Sequence, residues 1–185
     1  RNRFLNLIKK FNKKNIIFSI ANSNGSVLSK KYLFNMIRPG ISLYGGNNNN
    51  KILNKKIKNV ITLSGKIIQI KELSKNEFVG YNQTYKTNKR IKVGIVGLGY
   101  ADGIPRKLSN KGYVYFKKNK FKIIGRISMD SLTIDISNSK HNLKVGMYLD
   151  LINHKYGIED FAKQCKTISN EVITSVGKRV KKIYV

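Results

Sequence analysis

The chain has 185 residues, one cysteine, no tryptophan and a formal charge of +28. The length permits one or two domains with a real core, since a domain of this size buries roughly 70% of its unfolded surface. A hydrophobic fraction of 41% with 10% aromatics excludes a wholly disordered chain, and a single cysteine excludes an internal disulfide and fits a reducing, cytoplasmic setting.

In chain order, Phe4, Leu5, Leu7, Ile8 and Phe11 recur at helical spacing, which predicts an amphipathic helix over 2–13. Ile16–Ile20 is an apolar run of strand length, followed by the turn-forming ANSNGS. Leu33–Ile37 is apolar again, Pro39 and Gly40 break it, and ISLYG leads to Gly45 and Gly46. This opening stretch reads as α/β. The Asn47–Asn50 run reads as a flexible surface connection. After it the style changes to short strand candidates with glycine-bearing turns: Val60–Lys71, Phe78–Tyr85, Ile91–Leu98, Gly112–Phe116, Lys122–Ile127 and Leu132–Ile136. Such a series predicts a closed β-barrel or a sandwich. Gly157–Lys166 reads as one helix, with Ile158, Phe161, Ala162 and Cys165 on one side, so Cys165 is expected as a small core residue. His141 and His154 stand in polar loops without a second metal ligand nearby, so no metal site is assigned. The longest apolar run, Val93–Ala101, is far shorter than the roughly 20 residues of a membrane helix. The chain begins at Arg1 with no signal-peptide pattern, and the expectation is of a fragment that lacks an amino-terminal part.

A charge of +28 invites a nucleic-acid reading, because a basic surface neutralises phosphates. Only seven of the 37 basic residues are arginine, the residue that forks onto phosphates and base edges. Lysine, isoleucine and asparagine are inflated together, and their codons are all rich in A and T. Base drift with solvated lysine faces accounts for all three; a binding surface accounts for the lysines alone.

Four segments resist that drift: Ala21–Ser23 with Met36–Gly45, then Val79–Tyr85, Leu98–Arg106 and Gly125–Asp130. Ser23 and Gly40–Ile41 follow successive strand candidates. A hydroxyl with free N–H groups at a helix start is either a phosphate cradle or an ordinary capped turn. Arg38 is either a specific donor or a surface charge. Tyr81 and Tyr100 follow glycines at strand ends; each is either a packed phenol or a proton-transfer group, and the second role requires adjacent positive charge.

Together these segments resemble alanine racemase, the pyridoxal-phosphate family that interconverts L- and D-alanine. SIANSNGSVL, FNMIRPGISLYG, VITLSGKIIQIKEL, VGYNQTY, GLGYADGIPRKLSNKGYV, GRISMDSLTIDIS and TISNEVITSVGKRV occur in the family's order and at about its spacing. The resemblance implies the last α/β units of a TIM barrel over residues 1–56 and a mainly β, barrel-like domain over 57–185. It implies a head-to-tail homodimer that takes a small amino acid, with neither nucleic acid nor membrane as partner, and a role in supplying D-alanine for peptidoglycan.

Residue by residue, Tyr81 resembles the catalytic tyrosine, one of two bases, which serves the partner subunit's cofactor. Ser23, Gly40 and Ile41 resemble the phosphate-binding positions, and Arg38 the arginine that donates to the pyridine nitrogen. Met129 resembles the residue whose N–H holds the substrate carboxylate, with Tyr100 and Asp130 beside the substrate. Arg106, Arg126 and Ile168 resemble positions along the access channel. Two departures stand out. The lysine that carries the cofactor, the histidine stacked on its ring and an arginine for the substrate carboxylate match no motif here, so the chain alone is expected not to racemise alanine. Asn170 stands where the family usually has a tyrosine on the phosphate, which implies looser phosphate binding and room for serine. The competing readings are a basic β-barrel that binds RNA, an inactive copy, and a decarboxylase on the same two-domain plan.

Overall fold

The structure is a computed structural model that describes residues 1–11, 15–47 and 50–184. It divides into two compact units, Arg1–Val60 and Ile61–Val185.

In the first unit, helix α1 spans Asn2–Ile8, shorter than the periodicity predicts; residues 12 and 13 of that expectation lie outside the described residues, as do 48 and 49 of the asparagine run. The expected parallel strands are reduced to one bridge, Asn22 to Arg38, backed by the Arg38 N–H donating to Ala21 O at 2.8 Å. Parallel pairing is weaker per residue than antiparallel pairing and is normally sustained by neighbours on both sides. Single turns of 3₁₀ helix at Gly25–Val27, Lys30–Tyr32 and Ile41–Tyr44 follow, and α2 spans Lys51–Lys56, capped by the Asn50 side chain accepting from Ile52 and Leu53 N–H.

The second unit holds eight strands among the described residues: β1 (Leu63–Leu73), β2 (Phe78–Val79), β3 (Tyr85–Lys86), β4 (Ile91–Val96), β5 (Tyr113–Phe116), β6 (Asn119–Ile124), β7 (Leu132–Asp135) and β8 (Tyr148–Ile152). Six close a barrel in the order β1-β4-β7-β6-β5-β8, with β8 returning to β1. Strand β1 is long enough to serve both neighbours. Register shifts at Leu63/Ser64 and Ile67/Gln69 bend it, so its first half pairs with β8 and its second with β4. Gly65 is required at the bend, because a β-carbon there would meet Val96 Cγ1 at 2.6 Å and Leu98 Cδ1 at 2.7 Å.

Ile67, Val96, Val114, Ile123, Leu132, Ile134, Leu149 and Leu151 belong to the main core cluster. A second cluster of Leu73, Val79, Ile91, Val93 and Ile124 seats the β2–β3 hairpin. Burial of Val79 in it contributes about 2 kcal/mol. Helix α3 (Ile158–Cys165) buries Ile158, Phe161, Ala162 and Cys165, as its periodicity predicts. Its Gln164 accepts from the Tyr113 N–H and donates to the Tyr115 hydroxyl, fastening the helix to β5. Helix α4 (Ser169–Ser175) joins α3 through the Ser169 hydroxyl donating to Glu159 at 2.5 Å. No helix among the described residues is long and apolar enough to cross a membrane.

Candidate functional site

In the first unit the Asn22–Arg38 bridge sets Ser23 alongside Gly40. The Ser23 hydroxyl is 4% exposed and accepts from Gly40 N–H at 3.0 Å, Ser42 N–H at 3.3 Å and the Ser42 hydroxyl at 3.1 Å. Three donors therefore converge on one oxygen, and among the described residues the hydroxyl's own proton has no acceptor. Among the described residues the Ile41 N–H has no acceptor. The space above Gly40 is open, since a β-carbon there would meet nothing within 4 Å. The Ser23 hydroxyl proton and the Ile41 N–H, beside the open space over Gly40, suit a small anion such as a phosphate ester. Arg38 is exposed, with Nη1 donating to the Ser19 hydroxyl at 2.5 Å.

In the second unit Tyr81 opens a 3₁₀ turn, Tyr81–Gln83, that interrupts the expected Phe78–Tyr85 strand, and its side chain is 67% exposed. Gly80, at φ 76°, enters that turn against the Gly125–Arg126 peptide; a β-carbon would fall 2.6 Å from Arg126 N. Gly125, at φ 71°, is equally close to Val79 O. The GRISMD segment thus forms the wall beside the tyrosine turn.

A parallel arrangement holds Tyr100. Gly99 lies on the Met129–Asp130 peptide, Tyr100 N–H donates to Ser128 O at 3.0 Å, and Ala101 N–H donates to Met129 O at 3.0 Å. Among the described residues the Met129 N–H itself has no acceptor. Arg179 ties the two loops from outside, with Nη2 at 2.6 Å from Asp130 and Nε at 3.5 Å from Asp102. Both carboxylates push the Arg179 pKa up, the Asp130 hydrogen bond most strongly. Asp102 also accepts the Gly99 N–H at 2.9 Å.

Arg106 places its guanidinium 5.9 Å from the Tyr100 ring centre. Arg106 and Arg126 line one cavity of about 390 Å³ with Thr84, Lys107, Ser109 and Asn110. Ile168 and Asn170 are exposed at the start of α4, whose far end reaches the Tyr100 loop through the Ser175 hydroxyl and Gly103 O. Ser23, Arg38, Gly40 and Ile41 therefore form one group, and Tyr81, Tyr100, Arg106, Arg126, Met129 and Asp130 fall in linked loops of the other unit. Asn170, expected with the first group, belongs to the second unit.

Sequence reasoning passes over Arg179 and Asn110. Arginine in a lysine-rich chain is the available signal for the first; the second is lost in a chain full of asparagine.

Residues 60–184 match the family described as alanine racemase, C-terminal domain, and residues 1–48 match alanine racemase, N-terminal domain. The chain belongs to the alanine racemase family. Among curated relatives of that family, the alanine racemase of Brucella canis is 40% identical over 180 residues, covering 90% of this chain and 46% of the relative. That of Rickettsia akari is 37% identical over 172 residues, covering 92% of this chain and 46% of the relative. A solved alanine racemase of Bartonella henselae, with covalently bound pyridoxal phosphate, superposes with a TM-score of 0.87 at 33% identity, covering all of this chain and 50% of that one. The Streptomyces coelicolor alanine racemase gives 0.89 at 29% identity, with 100% and 50% covered. The chain spans about half the length of the alanine racemases it matches.

Proposed function

We propose that this chain supplies half of an alanine racemase. With a barrel portion such as its longer relatives contain, it interconverts L- and D-alanine as a cytoplasmic, head-to-tail homodimer that feeds peptidoglycan synthesis. The observation that carries the reading is Tyr81: a phenol on a glycine-anchored turn, exposed rather than folded into the barrel.

The Ser23 hydroxyl, the open backbone at Gly40 and the Ile41 N–H fit the phosphate of pyridoxal phosphate and would hold it. When bound, this cofactor supplies an electron sink for a carbanion at the substrate's α-carbon. Arg38 would face the ring nitrogen, to which its guanidinium, which keeps its proton, could only donate a hydrogen bond. Tyr81 moves the α-proton on one face, in reach of the partner subunit's substrate, as a general acid–base group must be. The Met129 N–H holds the substrate carboxylate, in a peptide fixed by Gly99 and by the Asp130–Arg179 pair. Tyr100 flanks the substrate, Arg106 and Arg126 attract its carboxylate along the channel that Ile168 also lines, and the second base comes from outside this chain's matched motifs.

The test is a chimera in which this chain replaces the matching 46% of the Brucella canis relative. Loaded with pyridoxal phosphate, it is expected to racemise L-alanine, followed by circular dichroism. Tyr81→Phe is expected to lower kcat by about 10²–10⁴-fold. A folded, loaded chimera without racemisation, or one indifferent to Tyr81→Phe, overturns the reading.

A further inference from the structure

The turn that presents Tyr81 is strained. Asn82 (φ 59°) and Gln83 (φ 52°) occupy the left-handed region in succession, which non-glycine residues adopt at a cost. Such a backbone persists only where its surroundings fix it at both ends. At the leading end the fixture is the Gly80 contact with Arg126 N. At the trailing end it is a side chain. Asn110 Nδ2 donates in bifurcated fashion to Thr84 O at 3.4 Å and Thr84 Oγ1 at 3.3 Å, while its Oδ1 accepts the Gly125 N–H at 2.6 Å.

The orientation of this amide is not free. A backbone N–H donates and takes only Oδ1, so the Gly125 bond forces Nδ2 toward Thr84. Asn110 is itself left-handed at φ 60°, and the neighbouring Ser109 hydroxyl accepts Ile127 N–H at 3.1 Å. Ser109 and Asn110 thus clip the Gly125–Ile127 backbone, and Asn110 extends the clip to the tyrosine turn.

We propose that Asn110 is a positioning residue for Tyr81: its carboxamide locks the turn against the Gly125 wall and so sets the direction of the phenol. The proposal rests on the racemase reading of Tyr81. It assigns Asn110 no contact with substrate or cofactor. An aspartate at 110 keeps the acceptor for Gly125 but sets a carboxylate oxygen against Thr84 O, whereas a glycine keeps the left-handed backbone and removes every bond.

The experiment compares the full chain with Asn110→Asp and Asn110→Gly by hydrogen exchange, and by ¹³C-tyrosine NMR with Tyr81→Phe identifying the line. Exchange over residues 80–84 is expected to rise at least tenfold in both variants, with β5 and β6 unchanged in Asn110→Asp, and the Tyr81 line is expected to broaden or split. In the chimera, kcat is expected to fall at least tenfold with KM within twofold. Unchanged exchange in Asn110→Asp, a Tyr81 line identical to the unmutated one, or an unchanged kcat overturns the proposal. An unmutated chimera that fails to racemise strikes at the parent reading, while exchange and the Tyr81 line still decide whether Asn110 anchors the turn.

Discussion

Gly99 is pressed against Met129 so closely that a β-carbon would fall 2.2 Å from the Met129 carbonyl oxygen. Backbone, not a movable side chain, occupies that space, so Gly99→Ala must part the two loops and stretch the Tyr100–Ser128 and Ala101–Met129 hydrogen bonds. A loss of about 1–3 kcal/mol is expected, read as a lower denaturant midpoint. Gly97→Ala is the control, expected to cost less, because its β-carbon would come no closer than 3.2 Å to Ile68 Cγ2 and 3.8 Å to Lys66 O.

The two carboxylates on Arg179 differ in what they lose with it. The Asp102 side chain is 9% exposed and caps the Gly99 N–H, while that of Asp130 is 64% exposed. Asp102→Ala is expected to destabilise by about 1–3 kcal/mol through the unpaired Gly99 N–H, and Asp130→Ala by no more than about 1 kcal/mol. Thermal unfolding of the two variants checks the order. Arg179→Met is expected to lower the Tm and to weaken alanine binding in the chimera, since the Met129 peptide loses its brace.

Burial pushes the Cys165 thiol up to about 12, with the nearby Glu171 adding to the rise and Lys107 opposing it. An unfolded thiol ionises near pH 9, so between pH 9 and 12 the folded state holds a proton that the unfolded state has released. Stability from this group therefore falls as pH rises through that window. Relative to Cys165→Ala, the unmutated chain is expected to lose unfolding free energy between pH 8 and pH 10.5, and its thiol is expected to resist a disulfide reagent at pH 8 until denaturant is added. A gap between the two proteins that does not change with pH contradicts this.

Asn170 is shorter than tyrosine and has both a donor and an acceptor. In the chimera, Asn170→Tyr is expected to raise the alanine-to-serine ratio of kcat/KM severalfold, the scale on which a pocket separates substrates that differ by one hydroxyl. An unchanged ratio removes serine from consideration.

The sequence made the second unit readable where pattern and pairing agree. Strands β1, β4, β5 and β7 and helix α3 stand close to their expected spans, because alternation or a helical face is a local signal. Strand β6 begins three residues earlier than expected, at Asn119, where hairpin pairing with Phe116 sets the boundary rather than apolar content. Strand β8 escapes notice because its place is fixed by partners far away in the chain, Leu63–Lys66 and Tyr115. Helix α4 is seven residues long and too short to show a period. The Tyr81 turn hides inside a strand-like stretch because Asn82 and Gln83 take left-handed angles that tertiary contacts impose. Arg179 and Asn110 act on loops remote in sequence, and no spacing rule connects Asn110 with Thr84 and Gly125.

The barrel seam has a consequence during synthesis. Strand β1 is among the first pieces of the second unit to leave the ribosome, yet the edge that β8 will cover stays unpaired until residue 152 has been made. At ordinary translation speeds, about 5–20 residues per second, that edge waits some seconds while roughly 90 residues are added. An unpaired edge invites strand pairing with other nascent chains. Lys66, exposed on the stretch that β8 later covers, sets a charge on that edge, the kind of residue that disfavours pairing with other chains.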